Sequence, residues 1–476
     1  MQPPVPREHL LKIMESCRAV LAKNPKNKSA HHDLAVAHMQ LGEYSEAVES
    51  FETARALDAK FVSAWYLSGI CLAELGRYDE AVDCWKKTCE LDSRHDNATY
   101  FIGKMYGMNG MWDMAIHQFQ KAIKINDEVP HYYHGIAEMY LGKGQLENAI
   151  NEWEKVLDID SVNGQALSNL CAAYLELMEL EKSVSYGLRA EHSGVDSSFL
   201  FYNLGMAFMA GGAHDEAIKY LEQACAQDES DLSNFLALGE AYVGKGMLDK
   251  GVETWEKIVE RDPQNCDALY DLGLVHFQNQ LEEQGREYFL RVLEINPAYV
   301  PARVNLGIYH YGRQEYEASA HQWEEILKSD PTHSQAMGNL IEIALMQNQA
   351  DAARLRLQHA LSVYPNDGRM LFLAGWAAWN DGQLKPALQH WNRARSVMSE
   401  VLVAYAHIIH MLLSEGRYER LIVAADAEHQ PLLEDLRDVL HGDAEEKLKQ
   451  RQIELAKQQQ EEEKGLFDRL KGIFKR

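Results

Sequence analysis

The sequence predicts an all-α solenoid. Three observations predict it, each a comb of residues spaced 34 apart, without insertion or deletion over most of the 476-residue chain. Glycine forms the first comb: Gly42, Gly76, Gly110, Gly144, Gly212, Gly246, Gly382 and Gly416. A large apolar residue forms the second: Phe51, Trp85, Phe119, Trp153, Leu221, Trp255, Phe289, Trp323, Leu357 and Trp391. Small residues form the third: Ala35, Gly69, Gly103, Ala137, Gly205, Gly239, Gly273, Gly307 and Gly375. A fixed period of this length means stacked units, none of which can bury its apolar face alone, and the main product of such a stack is surface for partners.

The elements follow in order. Residues 1–27 read as an N-terminal cap, with Leu10, Leu11, Ile13, Met14, Ala19, Val20 and Leu21 mostly at helical spacing. The array proper spans 28–430, with complete helical hairpins starting near Lys28, Val62, Asp96, Pro130, Gly164, Ser198, Leu232, Cys266, Val300, Ser334 and Gly368. A degenerate twelfth unit starts near Leu402. In each hairpin the small residues let helix A and helix B cross closely. Glycine ends helix A at no Cβ cost. The large apolar residue on helix B fills the gap to the next hairpin. Pro263, Pro297, Pro331 and Pro365 close four successive units, because proline cannot continue a helix. The fifth unit departs from the combs, with Met178 for the turn glycine and Gly187 for the aromatic. Ser193-Gly194-Val195-Asp196-Ser197-Ser198 follows. A looser joint near 193–198 is the expectation there. Residues 431–463 read as a short C-terminal helix and a Glu/Lys/Gln-rich spacer, and 464–476 as a separate amphipathic tip.

The units resemble the tetratricopeptide repeat (TPR). One reads Phe235-Leu236-Ala237-Leu238-Gly239-Glu240-Ala241-Tyr242, then Gly246, Trp255 and Pro263; another reads Phe101-Ile102-Gly103, Tyr106, Gly110, Ala115, Phe119 and Ala122. The resemblance covers roughly residues 28 to 430. It implies a right-handed superhelix of about twelve hairpins, with helix A lining a concave groove. Carried across at the family's ligand-facing positions, it marks Tyr66, Tyr100, His134, Tyr202, Met206, Met209, Tyr270, Phe277, Tyr311, Phe372 and Trp376. Apolar and aromatic ladders on an exposed face mark interaction surfaces. The sixth position adds Asn169, Asn203, Asn305 and Asn339. An amide offers one acceptor and two donors, so a ladder of them suits the backbone of an extended peptide. The expected occupants are an extended peptide or a helix. The Lys-Asn-Asn-Lys-Arg clamp used by the chaperone-tail binders of the family is not matched.

Composition sets limits. A formal charge of −25 argues against nucleic acid, whose binders neutralise phosphates with Lys and Arg. Seven scattered cysteines fit a reducing compartment. The N-terminus lacks an apolar signal core, and no 18-residue apolar run exists. No phosphate loop, dinucleotide turn or nucleophile elbow occurs. His131 and His134 are three apart on a predicted helix, but lack ligand partners at metal-site spacing. No catalytic residue, cofactor or metal is therefore expected.

The last residues differ from everything before them. Leu466, Phe467, Leu470, Ile473 and Phe474 form one apolar stripe, flanked by Arg469, Lys471, Lys475 and Arg476. From Lys464 onward five basic residues face one acid. A cationic, aromatic-bearing amphipathic helix suits the interface of an anionic membrane. The tip is similar to the C-terminal membrane-targeting helices of bacterial MinD-type ATPases, which implies the inner face of a bacterial membrane. Together these readings give a non-catalytic cytoplasmic scaffold that binds protein partners and is tethered peripherally. The alternative is a soluble adaptor, co-chaperone or regulatory subunit whose tail docks on protein. The oligomeric state is not encoded in any of these features.

Overall fold

The computed structural model describes residues 6–442, except 399, 414 and 415. Every regular element among them is helical. The chain divides into two compact units after Ala207.

The first unit opens with α1 (Arg7–Lys23). Five hairpins follow: α2 (Lys28–Gln40) with α3 (Tyr44–Leu57), α4 (Val62–Glu74) with α5 (Tyr78–Leu91), α6 (Asp96–Met108) with α7 (Trp112–Ile125), α8 (Pro130–Gly142) with α9 (Leu146–Ile159), and α10 (Gly164–Glu176) with α11 (Leu180–His192). The chain passes into the second unit within α12 (Ser198–Ala210). There α13 (His214–Gln227) precedes α14 (Leu232–Gly244) with α15 (Leu248–Arg261), α16 (Cys266–Gln278) with α17 (Glu282–Ile295), and α18 (Val300–Gly312) with α19 (Tyr316–Ser329). Then come α20 (Ser334–Met346) with α21 (Ala350–Val363), and α22 (Gly368–Asn380) with α23 (Leu384–Val397). The end is built from α24 (Val401–Ala404), α25 (Ala406–Leu413), α26 (Arg417–Ala424), a 3-10 turn (Ala427–His429) and α27 (Gln430–His441). Helices A from α2 to α22 all start on the 34-residue register, and so do helices B from α3 to α23. The twelfth unit is degenerate because its helix A breaks at Tyr405.

The turn comb works as backbone chemistry. Gly42 sits at φ +81°, and the Glu43 N–H donates to the His38 carbonyl at 2.9 Å, capping the end of α2. The same bond joins Arg77 to Leu72 at 2.8 Å and Gln383 to Ala378 at 2.9 Å. Met178, Gln280, Gln314 and Asn348 hold the left-handed geometry without being glycine, with φ from 55° to 63°. Each carries about 1 kcal/mol of strain for its Cβ.

The other two combs meet inside each hairpin. A methyl group on Gly239 would lie 2.2 Å from Trp255 Nε1; on Gly69 it would lie 2.5 Å from Trp85, and on Gly375 2.4 Å from Trp391. The indoles are fixed from the other side. Trp85 donates to the Tyr66 carbonyl at 3.2 Å, and Trp255 donates to that of Leu236 at 3.2 Å. The fifth hairpin inverts this pairing. Its helix A carries the larger Cys171 and its helix B carries Gly187. A methyl on Gly187 would meet Leu204 Cδ2 at 2.5 Å and Cys171 Sγ at 2.9 Å. The volume missing from α11 is therefore returned by its neighbours, and no hole is left. After α11, Gly194 (φ +92°) turns the chain and Val195 seats itself against Gly164.

The last hairpin is sealed. Leu432, Leu433, Leu436 and Val439 of α27 are buried in a core shared with α22 to α25.

Candidate partner-binding groove

In both units neighbouring helices A touch side by side, α2 on α4, α6 on α8, and α20 on α22. The helices A carry the residues at the expected ligand-facing positions.

In the first unit, Tyr66 and Tyr100 are half-buried. Tyr66 packs on His95 with ring centroids 4.4 Å apart. Tyr100 lies among Phe119 at 5.4 Å, His131 at 4.8 Å and Tyr132 at 5.4 Å. Desolvation pushes both phenols above their ordinary pKa, so they stay neutral donors. Asn169, Tyr202 and Met206 are half-buried on the same face.

In the second unit, Met209, Tyr270, Phe277, Asn305, Tyr311 and Asn339 are half-buried. Tyr270 packs between Phe289 at 5.6 Å and Tyr299 at 5.5 Å, and its hydroxyl accepts from Asn305 Nδ2 at 3.2 Å. Phe277 packs on Phe289 at 5.2 Å and Tyr309 at 5.7 Å. Beside them stand three carboxyls. Burial, then the charges of Glu240 and Asp267, push the Asp271 pKa up to about 7. Desolvation also raises Glu240.

Models of tetratricopeptide repeats match residues 18–59, 32–85 and 236–300, and a second such model matches 130–163 and 200–231. These are tetratricopeptide repeats. The chain is a TPR protein, and an array of such repeats is a protein-interaction scaffold. A model of the TT21 fifth ARM-repeat domain also matches residues 302–413. Among curated proteins none matches the chain. Similar solved structures include YrrB, described as a TPR protein with an unusual peptide-binding site. It is 26% identical over 39% of this chain and 95% of that one, with TM-score 0.35. The MamA protein is 23% identical over 36% and 92%, with TM-score 0.33. A TPR protein from Parabacteroides merdae is 16% identical over 49% and 92%, with TM-score 0.38.

The structure corrects several groove positions of this TPR protein. Phe372 and Trp376 are 0% and 1% exposed. Tyr405 stacks on Phe372 at 4.3 Å, and both rings lie in the core that α22 shares with the C-terminal helices. His134 is buried, with Nε2 at 3.2 Å from Asn163 Oδ1, and desolvation lowers its pKa. Asn203 is also buried, and its amide donates to the Phe199 carbonyl at 2.7 Å. The asparagine ladder is largely spent internally. Asn305 donates to the Pro301 carbonyl at 3.0 Å, and Asn339 accepts from Arg369 at 2.8 Å. Asparagine four residues after a carbonyl on the same helix bonds that carbonyl, leaving less for a ligand.

Sequence reasoning missed two features. One is the exposure of Phe199 and Ile308, at 51% and 53%. The other is a partly buried polar knot. Arg369 donates to Glu342 at 3.0 Å and to the Tyr405 hydroxyl at 2.6 Å, while Tyr311 donates to Glu342 at 2.6 Å. Its members come from α18, α20, α22 and the break after α24. Their separation in sequence hid them.

Asp426, Glu428 and His429 bring ligand atoms within 4.8 Å of one another. The Asp426 N–H donates to His429 Nδ1 at 3.4 Å, closing the 3-10 turn, and Nε2 lies 3.8 Å from Glu428. The seven cysteines are free thiols. Among the described residues no helix is long and apolar enough to cross a membrane. The membrane-contact residues Leu466, Phe467, Arg469, Leu470, Lys471, Ile473, Phe474, Lys475 and Arg476 lie outside the described residues.

Proposed function

We propose that this TPR protein is a non-catalytic scaffold that holds protein partners on the helix-A faces of its two units. The observation that carries this reading is the series of half-buried aromatics Tyr66, Tyr100, Tyr202, Tyr270, Phe277 and Tyr311. All six are partly exposed, and Tyr66, Tyr100, Tyr270, Phe277 and Tyr311 pack on or bond to a neighbouring element, the arrangement of interface anchors. An extended peptide or an amphipathic helix is the occupant that fits a row of such edges.

The same reading places the protein on the cytoplasmic face of a membrane, held by residues 464–476. Its support is the apolar stripe with flanking cations, which suits an anionic bilayer surface. A dozen residues bind weakly alone, so stable attachment needs a second contact.

Two measurements test these statements separately. Tyr270→Ala with Phe277→Ala should cut capture of partners, identified by mass spectrometry, about tenfold while helicity is kept. Unchanged capture refutes the groove. Phe467→Glu with Phe474→Glu should release the protein from phosphatidylglycerol vesicles at low salt. Equal sedimentation of both proteins refutes the anchor.

A further inference from the structure

We infer that the helix-A face of the second unit is the docking site of the chain's own tip, residues 464–476. The inference rests on the groove reading above and names an occupant for it.

The face is amphipathic in cross-section. Asp267, Asp271, Leu274 and Phe277 follow one another along α16 at helical spacing. Glu240 on α14 adds charge beside Asp271, and Ile308 on α18 adds an apolar side chain that is 53% exposed. The result is an apolar strip of Leu274, Phe277 and Ile308 bordered by three carboxyls. Burial and the charges of Glu240 and Asp267 act together on Asp271. Asp271 is half-buried, with the exposed Glu240 and Asp267 beside it, and a lysine or arginine laid against this group offsets the cost of its buried charge. An anionic lipid surface is repelled from the same face.

The tip is the complement. Its stripe of Leu466, Phe467, Leu470, Ile473 and Phe474 matches an apolar strip, and Arg469, Lys471, Lys475 and Arg476 border it. It belongs to a chain of net charge −25, so such a basic segment is attracted by the rest of the molecule. The tether reaches. Residues 443–463 number 21 and extend to about 70 Å. From α16 to α27 there are five successive helix-to-helix steps of about 10 Å, or about 50 Å. A tether of this length holds its end at an effective concentration in roughly the millimolar range, so weak intrinsic affinity suffices.

Docking and lipid binding use the same stripe and exclude one another. A partner that takes the groove therefore frees the tip for the membrane, and groove occupancy becomes coupled to attachment.

Hydrogen exchange on the full-length protein at low salt and neutral pH tests this. Amides of 464–476 should exchange at least about tenfold more slowly than an unstructured chain. Glu240→Lys with Asp271→Lys should abolish that protection and raise binding to phosphatidylglycerol vesicles several-fold. The reversal places lysine among carboxyls, so it relieves repulsion in the fold. Arg469→Glu with Lys471→Glu, which leaves the groove untouched, should abolish the protection as well. The inference is overturned if the wild-type tip exchanges at random-coil rates, or if its protection survives the groove reversal. Protection lost on reversal, with partner capture indifferent to Tyr270→Ala and Phe277→Ala, would sink the partner reading alone. An unprotected tip with sensitive capture would sink only the docking.

Discussion

Replacing Gly239 by alanine tests the rule that joins the combs. The added methyl would stand 2.2 Å from Trp255 Nε1 and 2.5 Å from Cε2. Trp255 has little room to yield, since it is buried and its indole N–H holds the Leu236 carbonyl at 3.2 Å. Overpacking of this kind costs about 1–3 kcal/mol. Alanine also improves helix propensity by about 0.5–1 kcal/mol, which offsets part of the loss. The net expectation is about 1–2 kcal/mol of destabilisation. Gly312 supplies the control, because it ends α18 with nothing within 4 Å of an added methyl. Gly312→Ala should gain up to about 0.5 kcal/mol. Urea unfolding followed by helical ellipticity gives the comparison. Amide exchange in α14 to α16 localises it, since repeat arrays unfold piecewise. Gly239→Ala combined with Trp255→Phe recreates the Ala35 and Phe51 pair of the first hairpin and should cost less than the sum of the single changes. A Gly239→Ala protein as stable as Gly312→Ala would refute the close-approach argument.

Three further outcomes are expected. Gly187→Phe restores the consensus side chain, yet it should destabilise the first unit by about 1–3 kcal/mol in the same unfolding assay, because Leu204 and Cys171 already fill the site. Gln280→Gly and Gln314→Gly should each raise stability by about 0.5–1 kcal/mol by relieving a positive φ, measured as a shift of the urea midpoint. Asp271→Asn should raise thermal stability at alkaline pH and leave it unchanged in acid. The folded carboxyl keeps its proton up to about 7, while the unfolded one loses it near 4, so stability from this group is intact below 4 and falls between 4 and 7. A wild-type protein that gains on the variant as pH rises through that window contradicts the sign.

The architecture was legible in the sequence because a 34-residue period admits few packings. Helix starts such as Lys28, Val62 and Gly368 coincide with the register. The exposure of the expected groove positions was legible only in part. Repeat position predicts which helix face a residue occupies, and Tyr66, Tyr100 and Tyr270 are half-buried at the positions it marks. It does not report what covers that face. Phe372 and Trp376 failed because Tyr405 and α27, beyond the regular repeats, close over α22. Asn203 failed because its own helix offered a carbonyl at 2.7 Å. The polar knot was invisible for another reason. Glu342, Arg369 and Tyr405 lie 27 and 36 residues apart, beyond the reach of any local spacing rule.

That knot gives the second unit a direction. An extended chain lying along its helices A would meet, at α20 and α22, the side chains of Asn339, Glu342 and Arg369 already bonded within the protein and the rings of Phe372 and Trp376 buried. If the proposed groove holds such a chain, it would end or turn outward there, and the second unit would set the register of its ligand from the C-terminal side.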